Sequence, residues 1–380
     1  MTKWPSVALG DVLTAASNRI TLDPDATYSQ VTARLWGKGL TLRAQVKGAE
    51  ISATQQNAVS AGQFVISKID ARHGAFGIVP DELDGAVVSN DFPSFDVDCR
   101  RALPDYIAWV SRTSWFIALC KRASEGSTNR VRLKEARFLA QQIPLPTLAE
   151  QRQIVEHLNA AAEAIRVRTL AAIRIEAEVA AALRTAFVRV IDGAPRVAMA
   201  EIAPLVRRPV TIDFDASYPE LGVRSFGKGT FHKPSLPGIE VGSKKLFRVE
   251  SGDLVFNIVF AWEGAVAVAR PEDVGRVGSH RFLPCAPDTR RTTSQFLRYW
   301  FLSEEGLLAL ARASPGGAGR NRTLGTKALE RINVPLPPLG CQQWFNQTQA
   351  KAQAARMAQA KASEHLEALL PSILDQTFKA

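Results

Sequence analysis

A chain that repeats itself must fold into the same unit twice, and this one, 380 residues long, repeats with a period close to 190. Asp23-Pro-Asp-Ala-Thr-Tyr28 recurs as Asp213-Phe-Asp-Ala-Ser-Tyr218. Six residues past each tyrosine stand Arg34 and Arg224, then Gly37-Lys38-Gly39 and Gly227-Lys228-Gly229. At the same offset Gly62-Gln-Phe-Val65 pairs with Gly252-Asp-Leu-Val255, Gly74-Ala75 with Gly264-Ala265, Phe92 with Phe282 and Ser124 with Ser314. One inserted residue later, Ile143-Pro-Leu-Pro-Thr-Leu148 matches Val334-Pro-Leu-Pro-Pro-Leu339. So many matches in one order imply a duplication, either of a scaffold alone or of a scaffold with its task.

Within each copy the first ~140 residues read as mixed α and β. The runs Phe64-Val-Ile66, Gly77-Ile-Val79 and Val255 to Phe260 are apolar and bounded by Gly, Pro, Asp and Asn, the pattern of short strands and turns. A helical piece follows in each copy, Tyr106 to Lys121 and Ser294 to Arg312. Both Pro-Leu-Pro segments then punctuate the chain, because proline lacks an amide hydrogen and holds its predecessor extended.

Beyond each proline segment the period changes to that of a long helix. From Glu150 to about Val190, Ile154, Leu158, Ala161, Ile165, Ala172, Ile175, Val179 and Ala182 fall at three- and four-residue steps, broken once at Arg168. In the second copy Phe345, Thr348, Ala352, Ala355, Gln359, Ala362, Leu366, Leu369 and Ile373 keep the same rhythm, with Pro371 expected to kink or restart the last turn. Neither stripe can remain in water, so the economical arrangement is an antiparallel pair with a globular domain at each end; the alternative packs each helix on its own domain. The expected class is α+β: two repeated mixed α/β domains separated by two long helices in an antiparallel coiled coil with pseudo-twofold symmetry. Its divisions fall at 1–147, 148–194 (central spacer helix), 195–338 and 339–380 (C-terminal spacer helix).

Enzymes that act on DNA need recognisable sites, and the sequence supplies none. It has no Gly-x-x-x-x-Gly-Lys-Ser/Thr loop for nucleotide phosphates, no Asn/Asp-Pro-Pro-aromatic segment, and no acid two residues before a lysine as metal-dependent nucleases require. The five histidines are scattered and the four cysteines lie far apart, so neither a metal site nor a cofactor is expected. Met1 to Pro5 lacks a signal-like pattern and no apolar run approaches the ~18 residues of a membrane span, which points to a cytoplasmic protein.

Lys+Arg outnumber Asp+Glu by 47 to 37, a net charge of +10 that attracts polyanions. Basic residues recur at corresponding turn-rich places, where binding groups are commonly presented. The richest are the ends of the globular units, Lys121 to Arg132 and Arg312 to Arg322, where Gly and Ser let backbone amides approach phosphate and arginine can hold phosphate or read guanine. The middle differs between copies: Ser67-Lys-Ile-Asp-Ala-Arg-His73 stands where the second has Asn257-Ile-Val-Phe-Ala-Trp262. Candidate DNA contacts are Arg34, Lys38, Lys68, Arg72, His73, Arg130 and Arg132 in the first copy, and Arg224, Lys228, Trp262, Arg281, Arg320 and Arg322 in the second. A solvated basic loop is the plain alternative for each.

Ile143-Pro-Leu-Pro-Thr-Leu-Ala-Glu-Gln-Arg-Gln-Ile-Val155, at a domain-to-helix junction, resembles the central region of the specificity (S) subunits of type I restriction-modification systems, the HsdS family. Trp4-x-x-Val7-x-Leu-Gly-Asp-Val12 resembles the usual opening of such a subunit and Leu369 to Phe378 its usual close. The resemblance implies a non-catalytic DNA-binding subunit with two target-recognition domains and a bipartite target. It implies methyltransferase (M) subunits, two of them, as partners on the helices, with restriction/translocase (R) subunits able to join. It places Glu150, Gln151, Arg152, Ile154, Leu158 and Phe345 at partner contacts. Gly340-Cys-Gln-Gln343 departs from the expected Ala-Glu-Gln-Arg, which leaves the architecture unaffected and the second helix's engagement of a partner open. Competing classes are a specificity module of another modification or defence system, a coiled-coil adaptor that binds protein only, and an enzyme of unrecognised type.

Overall fold

The duplication is visible at the level of single hydrogen bonds. In the computed structural model, which describes residues 4–126, 131–316 and 322–378, the Asp23 amide donates to the Tyr28 hydroxyl at 2.9 Å and the Asp213 amide to the Tyr218 hydroxyl at 2.7 Å. Asp23 and Asp213 each accept the amide two residues on, the local turn that aspartate favours. Each turn leads into a hairpin, Thr27–Ala33 with Leu40–Lys47 and Ser217–Val223 with Thr230–Pro237, with a register shift at Gln30/Val31 and at Pro219/Leu221. Gln30 pairs in parallel with Val87, and Glu220 with Val277, again 190 residues apart.

The chain divides into two compact units, Met1–Ile173 with Gln359–Ala380, and Arg174–Ala358. The first holds a five-stranded sheet, ordered Arg19–Thr21, Gln55–Ala58, Val87–Val88, Thr27–Ala33, Leu40–Lys47, and a four-stranded sheet, Leu13–Ala16, Ser94–Val97, Phe64–Ile66, Phe76–Ile78. The second repeats both with one edge strand fewer: Thr230–Pro237, Ser217–Val223, Val277–Ser279, Leu246–Arg248, and Val266–Val268, Leu254–Asn257, Phe282–Cys285. Isolated bridges Pro209↔Phe247 and Leu205↔Cys285 stand where those edge strands would pair. Pro209 has no amide hydrogen to extend a ladder, which limits that edge. The run from Val255, expected as strand to Phe260, leaves the sheet after Asn257.

Aromatic residues fill both cores. Phe64, Phe76, Phe95, Phe116 and Phe138 are fully buried in the first unit, as are Phe256, Phe296, Trp300 and Phe301 in the second. The expected single helices from Tyr106 and Ser294 are each two: Pro104–Ser111 and Ser114–Arg122, then Ser294–Phe301 and Glu304–Arg312. The break is set by Thr113 and Ser303, whose hydroxyls accept the amides of Phe116 and Gly306 and start a new helix.

The Pro-Leu-Pro segments close each unit by pairing back with its first strand, Ser6–Ala8 with Gln142–Pro144 and Arg196–Ala198 with Asn333–Pro335. Long helices follow at once, the central helix Leu148–Ile191 and the C-terminal helix Leu339–Phe378. The central helix opens on a capping box: Glu150 Oε2 accepts the Thr147 amide at 2.9 Å, while the Glu150 amide reaches Thr147 Oγ1 at 3.4 Å. The other helix, with Pro338 and Cys341 at those positions, has no such box.

The two helices pack as an antiparallel coiled coil. Val155 and Leu158, early in the central helix, share the first unit's core with Leu374 and Phe378, late in the other. Leu183 and Phe187, late in the central helix, share the second unit's core with Phe345, early in the other. Each helix end also packs on a sheet-bearing domain: Trp109 Nε1 donates to Asn159 Oδ1 at 2.9 Å, and Asn346 Nδ2 to Thr293 Oγ1 at 2.7 Å. Two details differ from the periodic pattern. Pro371 lies inside a continuous helix, with Leu370, Ile373, Leu374 and Phe378 anchoring that last stretch in the core. Ile175 and Leu369, both in the expected stripes, are 52% and 42% exposed. Among the described residues no helix is long and apolar enough to cross a membrane.

Candidate nucleic-acid interface

Each hairpin ends in a tight turn, Arg34 to Gly39 and Arg224 to Gly229, closed by Arg34 N–H to Gly39 O at 2.9 Å and Arg224 N–H to Gly229 O at 3.0 Å. Each turn is docked on a 3-10 turn, Ala71–His73 or Ala261–Glu263. The Trp36 amide donates to His73 O at 2.7 Å and Gly37 to Gly74 O at 2.9 Å; the Phe226 amide donates to Glu263 O at 2.8 Å and Gly227 to Gly264 O at 2.9 Å. Gly74 must be glycine here: its φ is +78°, and a Cβ would lie 2.8 Å from the Gly37 nitrogen.

A third segment joins through the main chain. Lys68 N–H donates to Asp91 O at 2.7 Å and Leu133 N–H to Lys68 O at 2.8 Å; in the second unit Ile258 N–H donates to Arg281 O and Leu324 N–H to Ile258 O, both at 2.9 Å. The backbone frame is therefore the same, and the side chains it carries are not. Lys68, Arg72, His73 and Asp91 of the first unit correspond to Ile258, Trp262, Glu263 and Arg281 of the second. Charge is exchanged for apolar surface at two positions and reversed at one.

The structure brings most of the expected residues onto these frames. Arg34 and Lys38 are exposed on the first turn. Lys68 pairs with Glu135 at 2.7 Å, Arg132 with Asp91 at 2.7 Å, and Arg72 Nε donates to His73 Nε2 at 3.1 Å. In the second unit Arg224 lies over the Phe231 ring at 5.0 Å, and Arg322 over the Trp262 ring at 5.2 Å. Lys228 and Arg281 are exposed. Arg130 and Arg320 lie outside the described residues. Lys228, Arg270 and Arg298 line a surface cavity of 270 Å³ beside the second turn, where Arg270 is already paired with Glu272 at 2.9 Å.

An arginine backs each glycine turn, from a different place in each copy. Arg112 lies under Gly37 and over the Trp109 ring at 4.3 Å; Arg298 donates through Nη2 to Gly227 O at 2.6 Å. Partial desolvation lowers the pKa of both guanidiniums, yet arginine stays charged. The sequence alone did not mark these two, nor Asp91, nor the rings of Trp36 and Phe226; an aromatic residue before Gly-Lys-Gly in both copies was the available signal.

Three expected partner residues face inward instead. Gln151, Leu158 and Phe345 are fully buried. The Gln151 amide group spends its hydrogen bonds inside the chain: Oε1 accepts the Leu103 amide at 2.8 Å, and Nε2 donates to Arg101 O and Pro146 O, both at 2.9 Å. Gln342 repeats this with the Thr293 amide, Arg291 O and Pro337 O. These glutamines lock each long helix to its domain, so the departure at Gly340-Cys341 leaves that lock intact. Arg152 is exposed, while Glu150 and Ile154 are half-buried; Glu150 accepts the Trp4 indole N–H at 3.3 Å.

Comparison with known proteins agrees with this arrangement. Residues 1–176 match the family model described as type I restriction modification DNA specificity domain. The HsdS subunit from Thermoanaerobacter tengcongensis superposes with a TM-score of 0.66 at 20% identity, covering 99% of this chain and 97% of that one. A chain from a structure on complex assembly and conformational transition of the type I R-M system gives 0.68 at 19%, covering 99% and 98%. No curated protein matches by sequence. At these identities the structural likeness establishes the fold. Residues 1–176 are thus similar to the type I restriction modification DNA specificity domain, and the chain has the fold of the HsdS subunits over nearly its whole length.

Proposed function

We propose that this chain is the non-catalytic specificity subunit of a type I restriction-modification complex: each unit reads one half of a bipartite DNA target, and the helices carry methyltransferase subunits. One observation carries this reading. Two frames with the same backbone hydrogen bonds present different side chains, as two readers of two different short sequences should. The net charge of +10 and the cations grouped at both turns supply the attraction to phosphate. The exposed start of the central helix around Arg152 and Gln153 supports a partner surface there.

Co-expression with a type I methyltransferase subunit, followed by mapping of modified bases across a genome, tests this. The expected result is one motif of two fixed half-sites around an unread spacer. A contiguous motif would refute the bipartite reading, and methylation or cleavage by the isolated chain with S-adenosylmethionine or with magnesium and ATP would refute the non-catalytic one.

A further inference from the structure

Among the described residues two non-glycine positions have a left-handed backbone, Trp36 at φ 64° and Phe226 at φ 59°, and they are the same position of the two copies. The neighbouring left-handed positions, 37, 39 and 74 and their counterparts 227, 229 and 264, are all glycine. A bulky aromatic residue is poorly suited to this conformation, and glycine or asparagine would hold the turn with less strain. Burial does not repay that strain, because the residues are 63% and 73% exposed. Trp36 makes one edge contact, to the His73 ring at 6.3 Å. What the copies share is an exposed ring at a hairpin tip, so the ring acts on something outside the chain.

Its flanks say what that is. Arg34 and Lys38 bracket Trp36, Arg224 and Lys228 bracket Phe226, and among the described residues none of the four has a carboxylate within ion-pair distance. Cation, ring, cation on a protruding turn matches a polyanion with an apolar interior, which is nucleic acid. We propose that Trp36 and Phe226 are DNA-contacting residues, each pressing its ring into a groove of its half-site while the bracketing Arg and Lys hold phosphates on either side. This rests on the DNA-reading function proposed above. It adds a contact common to both units, to which the differing side chains at 68, 72, 73, 91 and their counterparts add selectivity.

The test uses the full chain with its co-expressed methyltransferase subunit, and duplexes enriched on the wild-type complex from a random-sequence pool. Trp36→Gly, Phe226→Gly and the corresponding asparagine variants suit the left-handed turn, so each should melt at or above the wild-type temperature. Each should bind the enriched duplexes at least ten-fold more weakly with an unchanged salt slope, because the lost group is uncharged. Trp36→Phe should retain most of the affinity. Wild-type affinity in folded glycine and asparagine variants would overturn the inference and leave the DNA-reading function standing. So would loss of the methyltransferase subunit with DNA binding unaffected, since the rings would then face protein. Failure of the wild-type complex to enrich any sequence would overturn the DNA-reading function and this inference with it.

Discussion

At the scale of single residues, charge was easier to find from sequence than anchorage. The basic residues at repeated turns were legible because cations cluster there twice, and the structure presents Arg34, Lys38, Arg224 and Lys228 on exposed turns. Gln151 was not legible, because it sits in the polar run Glu150-Gln-Arg-Gln153, which reads as solvated helix while its amide is fully buried. Gln151→Leu should strand the Leu103 amide and the Arg101 and Pro146 carbonyls, at about 1–3 kcal/mol for each group left without a partner. Thermal melting should show a lower transition, and Gln342→Leu should do the same; an unchanged melting temperature would mean water satisfies these groups. For Arg132→Ala and Arg322→Ala, binding should weaken by about 1–3 kcal/mol where the guanidinium reads a base, with a shallower salt slope where it holds a phosphate. Titration of the enriched duplexes at several salt concentrations separates the two, and unaltered affinity and slope in both variants would remove these residues from the interface.

At the scale of elements, the long helices were legible because their period runs for about eight turns, whereas strands of three or four residues carry too few positions to mark their ends. The helix breaks at Thr113 and Ser303 were hidden because apolar residues continue across them. The two units also differ in one connection. Asp273, fully buried, accepts from Thr230 Oγ1 at 2.8 Å and lies 2.9 Å from His232 Nε2, while the corresponding residue of the first unit is the buried Leu83. Burial pushes the Asp273 carboxyl up, but hydrogen bonds from the Arg270 amide, Thr230, His232 and the Arg270 side chain outweigh it and hold the pKa below the ordinary carboxylate value. A lowered folded-state pKa stabilises fully above the unfolded value near ~3.9, and that contribution is lost as pH falls through the folded one. Acid titration of stability should therefore find a component below about pH 4 that Asp273→Asn removes. The same acid sensitivity in the Asp273→Asn chain would assign it to other carboxylates.

At the scale of the whole molecule, the repeat made the architecture legible before any element was certain, because one unit cannot bury what two copies must. The central helix, 44 residues long, measures about 66 Å. If the helices set the distance between half-sites, four residues added near Ala171, with four more near Ala360 to keep the antiparallel pairing, lengthen each helix by about 6 Å, nearly two base-pair steps. Selection from random duplexes should return the same half-sites with a longer unread spacer, and new half-site bases at the old spacing would show that the helices set no distance. The division of the chain has a further consequence for its birth on the ribosome. The second unit is one continuous stretch, Arg174–Ala358, but the first takes Leu374 and Phe378 into its core, with Phe378 against Tyr106 at 5.9 Å between ring centres. Synthesis runs from the amino end, so the domain that emerges first waits longest: its core closes only when Leu374 and Phe378 arrive, after the second domain already has all its chain.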